Sequence, residues 1–139
     1  MAKILIVEDD RVLRKHVVDK FNEAGYIVFE AGDGESGLAT AIREHPALIM
    51  LDVILPKMLG LTVLKKLRED EWGKSVPVIF LTNLSDDAIV AEAKKNGAHD
   101  FLIKKDWTPD EVEKIVRDKL SQLMDPVEIP AMPDEKKEL

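Results

Sequence analysis

Apolar runs and helically spaced apolar positions alternate along the chain. Lys3–Val7 (KILIV) reads as a buried strand. Leu13, Val17, Phe21 and Ala24 then recur at helical spacing, so Asp10 to about Gly25 reads as a helix. The same alternation repeats four more times. Strands are expected at Ile27–Glu30, Ala47–Leu51, Val76–Leu81 and His99–Ile103. Leu38, Ala41 and Ile42 mark a second helix, Leu61, Leu64 and Leu67 a third, and Ile89, Val90 and Ala93 a fourth, with Gly97 as its stop. The fifth helix carries the clearest start signal. Thr108 and Glu111 make a capping box around Pro109, and Val112, Val116, Leu120 and Leu123 give its apolar stripe.

Strands that are apolar throughout are buried on both faces, as in parallel sheets. Five such βα units predict an α/β fold with one parallel sheet covered by helices on both sides. The domain is expected to span residues 1–124. From Asp125 to Leu139 (DPVEIPAMPDEKKEL) three prolines and a charge run predict a disordered tail or linker stub. The alternative is a docking segment using Val127, Ile129 and Met132.

Composition narrows the setting. The 139 residues suit one core, no apolar run approaches membrane-spanning length, and no secretion signal opens the chain. Absence of cysteine excludes disulfides and thiolate chemistry, and a cytoplasmic home is expected. The net charge of −7 argues against non-specific nucleic-acid binding, so no nucleic-acid partner and no membrane partner are expected.

In a parallel sheet all strand C-termini open on one edge, where ligands bind. The polar residues that follow the apolar runs are therefore the candidates. Strand one ends in Glu8, Asp9 and Asp10, strand three in Asp52, strand four in Thr82 and strand five in Lys104. Asp10 suits a helix N-cap, and Thr82 or Lys104 alone could be a turn or solvated end. Three neighbouring carboxylates, however, repel one another without a cation. Hard oxygen ligands with few carboxylates favour Mg²⁺. With an ammonium and a hydroxyl nearby, these groups suit a phosphoryl group carried on Asp52.

The segments KILIVEDD, LDVILPKMLG, FLTN and GAHDFLIK resemble the receiver domain of two-component response regulators, over about Lys3 to Leu123. Asp52, Pro56 and Gly60 keep the family spacing, with Met58 between the last two. The resemblance implies a flavodoxin-like, doubly wound, five-stranded sheet of order 2-1-3-4-5 with five helices. It implies that Asp52 accepts phosphate from a histidine kinase or phosphotransfer protein. Asp9 then binds Mg²⁺ directly, Glu8 acts mainly through water, and the backbone carbonyl of Ile54 is a further ligand. Lys104 pairs with the phosphoryl group, Thr82 moves in to hydrogen-bond it, and Phe101 is the switch aromatic, a role compatible with plain core packing. The output surface covers Asn83–Lys95 and Phe101. Kinase docking in the family uses the first helix and nearby loops. Val18, off that helix's apolar stripe, is a candidate for such a docking patch, though an isolated exposed valine is the expected reading.

Two departures from the family pattern stand out. Lys105 replaces the usual proline after Lys104, which predicts a trans 104–105 peptide and an altered loop, because a cis bond before a non-proline costs about 2.5–4 kcal/mol. Asn83 stands where a small residue is usual. Ile54 and Leu84, two residues after Asp52 and Thr82, are apolar and cannot orient an attacking water, which predicts slow autodephosphorylation. The expected protein is a stand-alone, chemotaxis-regulator-like receiver. It is no enzyme beyond self-phosphorylation and dephosphorylation, and it acts through an unknown downstream protein.

Three rivals compete. The first is a receiver-like binding module that never takes phosphate. A haloacid-dehalogenase-like phosphatase would need a second Asp where Ile54 stands. A flavodoxin-type protein would need a Gly/Ser/Thr-rich loop where EDDRVL stands.

Overall fold

The computed structural model describes residues 2–84 and 86–128. Five strands, β1 (Lys3–Val7), β2 (Ile27–Ala31), β3 (Leu48–Leu51), β4 (Val78–Thr82) and β5 (Asp100–Ile103), alternate with five α-helices. The helices are α1 (Arg11–Glu23), α2 (Gly34–Glu44), α3 (Gly60–Glu69), α4 (Asp87–Lys95) and α5 (Pro109–Glu128). All strand pairs are parallel, and their order is β2-β1-β3-β4-β5. The flavodoxin-like, doubly wound architecture is therefore as expected.

Side chains alternate across a strand, so each strand feeds two cores. Leu5, Val7, Ile49, Leu51, Val78 and Phe80 pack under α2, α3 and α4. Ile4, Ile6, Leu48, Met50, Ile79 and Leu81 pack under α1 and α5. This second core corrects one sequence expectation. Val18 is buried, with 8% of its surface exposed, because α1 contacts α5 as well as the sheet and so buries a wider face than one stripe. Ile42 and Leu123 depart in the other direction and are exposed. The buried face of α2 uses Gly34, Gly37 and Ala41, small residues that let the helix lie close to β1. A Cβ at Gly37 would stand 2.8 Å from Val7 Cγ1.

The helix starts follow their sequence signals. Asp10 accepts from the amides of Val12 and Leu13 at 3.0 and 3.1 Å. Thr108 and Glu111 cap each other reciprocally, at 2.8 and 3.2 Å. No cis peptide bond occurs among the described residues, so the 104–105 peptide is trans. A short 3₁₀ turn, Lys104–Asp106, follows β5 and leads to the exposed Trp107. Helix α5 continues to Glu128, beyond the boundary drawn after residue 124, since helix ends are weakly marked by sequence. Stretch 129–139, with Ile129 and Met132 of the suggested docking segment, lies outside the described residues.

At the opposite, N-terminal edge of β3 and β4, His45 closes α2 in the left-handed region at φ 49°. Its ring stacks on Trp72, with centroids 4.4 Å apart.

Candidate functional site: an acidic rim with a bridging lysine

Strand register brings the acidic residues together. β1 pairs with β3 up to Val7 opposite Leu51, and the Asp52 amide donates to the Val7 carbonyl at 3.2 Å. The residues that follow each strand, Glu8 and Asp52, therefore leave the ladder side by side. Carboxylate oxygens of Glu8, Asp9 and Asp52 all lie within 4.8 Å of one another. Glu8 and Asp52 are buried, whereas Asp9 is exposed.

Lys104 reaches this rim from the far side of the sheet. Its Nζ lies 2.7 Å from Asp52 Oδ2 and 2.8 Å from Glu8 Oε1. Burial pulls the Lys104 pKa down, but the hydrogen bonds and charges of Asp52 and Glu8 outweigh it, and the ammonium is held above its ordinary range. Burial pushes the Glu8 carboxyl up, with Asp52's charge adding to it, against the opposing bonds from Lys104 and the Asp10 amide. One ammonium thus faces three carboxylates on this rim. The donor set is all hard oxygen and carries excess negative charge, which fits a small divalent cation.

Thr82 ends β4 opposite Ile103, the residue before Lys104. It is buried, and its Oγ1 accepts from the Leu84 amide at 3.2 Å. Phe101 sits opposite Phe80 in the register, and the two rings are 5.5 Å apart. It is partly buried against the core beneath α2, α3 and α4. Ile54 is 55% exposed, and its amide approaches Asp52 Oδ1 at 3.3 Å. Leu84 is partly buried against the core, and Asn83 is exposed.

The loop that follows Asp52 is tightly placed. The Gly60 amide donates to the Val53 carbonyl at 2.8 Å, and the Gly34 amide to the Pro56 carbonyl at 3.1 Å. A Cβ on Gly60 would fall 2.0 Å from the Asp52 carbonyl oxygen, so only glycine fits. Lys57 adopts a left-handed φ of 67° within this loop. The sequence reading found the spacing of Pro56 and Gly60 but missed Arg14. Its Nη1 donates to the Glu8 carbonyl at 2.7 Å. An arginine on the polar side of a helix carries no sequence signal for such a contact.

Comparison with known proteins follows the same lines. The family model of the response regulator receiver domain matches residues 4–117. The chain belongs to the response regulator receiver family. As a receiver it is a signalling module of two-component systems rather than a conventional enzyme. It is 40% identical over 116 residues to the DNA-binding dual master transcriptional regulator RpaA of Synechocystis sp., covering 84% of this chain and 46% of that protein. It is 36% identical over 121 residues to a probable transcriptional regulator, ycf27, of Porphyridium aerugineum, covering 87% of this chain and 49% of that protein. The receiver chain thus spans about half the length of these curated relatives.

Among solved structures, the Vibrio cholerae chemotaxis protein CheY4 superposes with a TM-score of 0.79 at 32% identity, covering 85% of this chain and 98% of that one. The receiver domain of the Pseudomonas aeruginosa sensor histidine kinase PA1611 superposes at 0.77 with 27% identity, covering 86% of this chain and 98% of that one. Its structure holds a magnesium ion in the active-site cleft.

These relatives correct one expectation. A partner set without nucleic acid is overturned, because the relatives include DNA-binding and transcriptional regulators. The net charge of −7 was the ground for that expectation. In regulators about twice as long, DNA contacts need not be made by the stretch that matches this chain, so its charge does not bear on them. No helix among the described residues is long and apolar enough to cross a membrane.

Proposed function

We propose that the receiver accepts a phosphoryl group on Asp52 from a histidine kinase or phosphotransfer protein in the cytoplasm, and that this switches a protein-interaction surface. The observation that carries the reading is the bridge from Lys104 to Asp52 and Glu8, at 2.7 and 2.8 Å, on a buried acidic rim. A carboxylate oxygen of Asp52 attacks phosphorus, the bond from phosphorus to the donor nitrogen breaks, and an acyl phosphate results. Lys104 then exchanges part of its carboxylate contact for a phosphoryl oxygen. Thr82, one residue beyond Leu81 at the end of β4, supplies a hydroxyl donor from the adjoining strand end.

Asp9, Asp52 and the Ile54 carbonyl would hold Mg²⁺ directly, with Glu8 acting through water. The ion supplies charge neutralisation that lets two anions approach. The approach of the Glu8, Asp9 and Asp52 carboxylate oxygens to within 4.8 Å of one another supports a shared ion. Phe101 responds from β5, where it pairs with Phe80 directly beneath the strand ends. Asn83–Lys95 forms the responding surface.

The test is labelling by acetyl phosphate. Labelling is expected in the presence of Mg²⁺, lost with EDTA and lost in Asp52→Asn. Full-length chain that stays unlabelled while binding Mg²⁺ would instead favour a receiver-like module that works without phosphate.

A further inference from the structure

We propose that Arg14 is a positioning residue for the acidic rim, fixing the turn between β1 and α1 so that Asp9 is aimed at the cation. This rests on the reading of the rim as a divalent-cation site. Arg14 lies at the fourth position of α1, and its guanidinium runs back toward the strand ends. Nη1 donates to the Glu8 carbonyl at 2.7 Å, and Nε to Glu30 Oε1 at 2.9 Å. The Arg14 side chain is 19% exposed and its bond to the Glu8 carbonyl is partly buried, whereas the Glu30 carboxylate that takes Nε is 51% exposed. Gly32 leaves the space, since a Cβ there would stand 3.0 Å from Nη1.

Glu8 is consequently held at every polar group. Its amide donates to the Ala31 carbonyl at 3.0 Å, and its carboxylate takes the Asp10 amide at 3.0 Å and the Lys104 ammonium at 2.8 Å. Arg14 supplies the remaining bond, to the carbonyl. That carbonyl lies in the planar Glu8–Asp9 peptide, so its direction sets the direction in which Asp9 leaves the strand. Asp9 is exposed and makes no side-chain hydrogen bond among the described residues, so the peptide plane is the guide that they supply.

Charge and orientation make opposite forecasts. Removing Arg14 leaves Glu30 without its partner, so the neighbourhood becomes more negative, and charge alone would tighten cation binding. Loss of orientation weakens it. Groups that orient metal ligands typically change affinity by about 10-fold or more, so orientation should win.

The experiment is titration of MgCl₂ into the full chain, followed by amide chemical shifts, with thermal unfolding measured in parallel. Arg14→Ala is expected to raise the Mg²⁺ Kd by about 10-fold. Arg14→Lys keeps the charge and one donor and should recover part of that loss. Glu30→Gln keeps the acceptor and should stay within about twofold of the unaltered chain. An unchanged or lower Kd in folded Arg14→Ala overturns the proposal, as does a loss confined to the unfolding temperature. Should Arg14→Ala fail to fold, Gly32→Val crowds the guanidinium off its position with the charge retained. The Kd is then expected to rise, and an unchanged Kd overturns the proposal. Absence of Mg²⁺-dependent shifts in the unaltered chain would instead count against the cation site itself.

Discussion

Ile54 and Leu84 flank the acidic rim in sequence, but the fold treats them differently. Ile54 is 55% exposed, whereas Leu84 leans on the core. Neither can hold a water for attack on an acyl phosphate. Replacing Ile54 with Asn and Leu84 with Glu is expected to shorten the lifetime of phosphorylated Asp52 by about 10-fold or more, because a positioned polar group commonly gives 10²–10⁴-fold in proton-transfer catalysis. Loss of label over time, after the phosphate donor is removed, measures it. At this scale the sequence was most informative where polar residues end apolar runs. Glu8, Asp52, Thr82 and Lys104 were visible for that reason. Val18 was not, because its burial depends on α5, about 95 residues further along the chain, which no local period reports. Arg14 was hidden likewise, since its partners are a backbone carbonyl and a carboxylate on β2.

Among the elements, α4 is the least embedded helix for which burial is described throughout. Its only buried residue is Ala93. What fixes its C-terminal end is Arg68 on α3, whose guanidinium donates to the carbonyls of Asn96, Gly97, Gly73 and Val76 at 2.7–2.9 Å. Burial lowers the pKa of this guanidinium, yet it remains the natural partner for carbonyls at a helix C-terminus. Among the described residues no arginine clasp of this kind meets the N-terminal end of α4, where Asp86 makes a local cap by accepting from the Ala88 and Ile89 amides. A helix fixed at one end and thinly packed along its length is suited to pivot. Arg68→Ala is expected to lower stability by about 2–4 kcal/mol, through carbonyls left without a charged donor. Chemical denaturation checks the stability, and hydrogen exchange should rise most over Asp86–Gly97. The helix itself was legible from Ile89, Val90 and Ala93. Its clasp was not, because a half-buried arginine bound to carbonyls reads in sequence like any solvated charge.

For the whole molecule, the sheet order came from the resemblance and not from the residues, since apolar strands of similar character do not reveal which neighbours they choose. Once that order stands, four strand ends converge and the two cores transmit what happens there. The rim concentrates three carboxylates against one ammonium. Mg²⁺ is therefore expected to stabilise the entire chain, by about 2.7 kcal/mol at 100 times its Kd. Asp52→Asn should show a smaller gain, and unfolding curves with and without the ion make the comparison. An acyl phosphate on Asp52 needs a bias of about 5.5 kcal/mol to invert a 1:99 population. Two charged hydrogen bonds, to Lys104 and Thr82, at roughly 1.5–3 kcal/mol each, are of that size.

The two tryptophans stand at opposite ends of the strands. Trp72 is stacked on His45, while Trp107 follows the 3₁₀ turn that begins at Lys104. In optical terms the chain carries a reference lamp and an indicator lamp. With Trp72 replaced by Phe, the remaining emission should follow occupancy of the rim, because the indole hangs from the same short turn as the ammonium that must shift. With Trp107 replaced instead, the light should stay constant while the chemistry proceeds unseen.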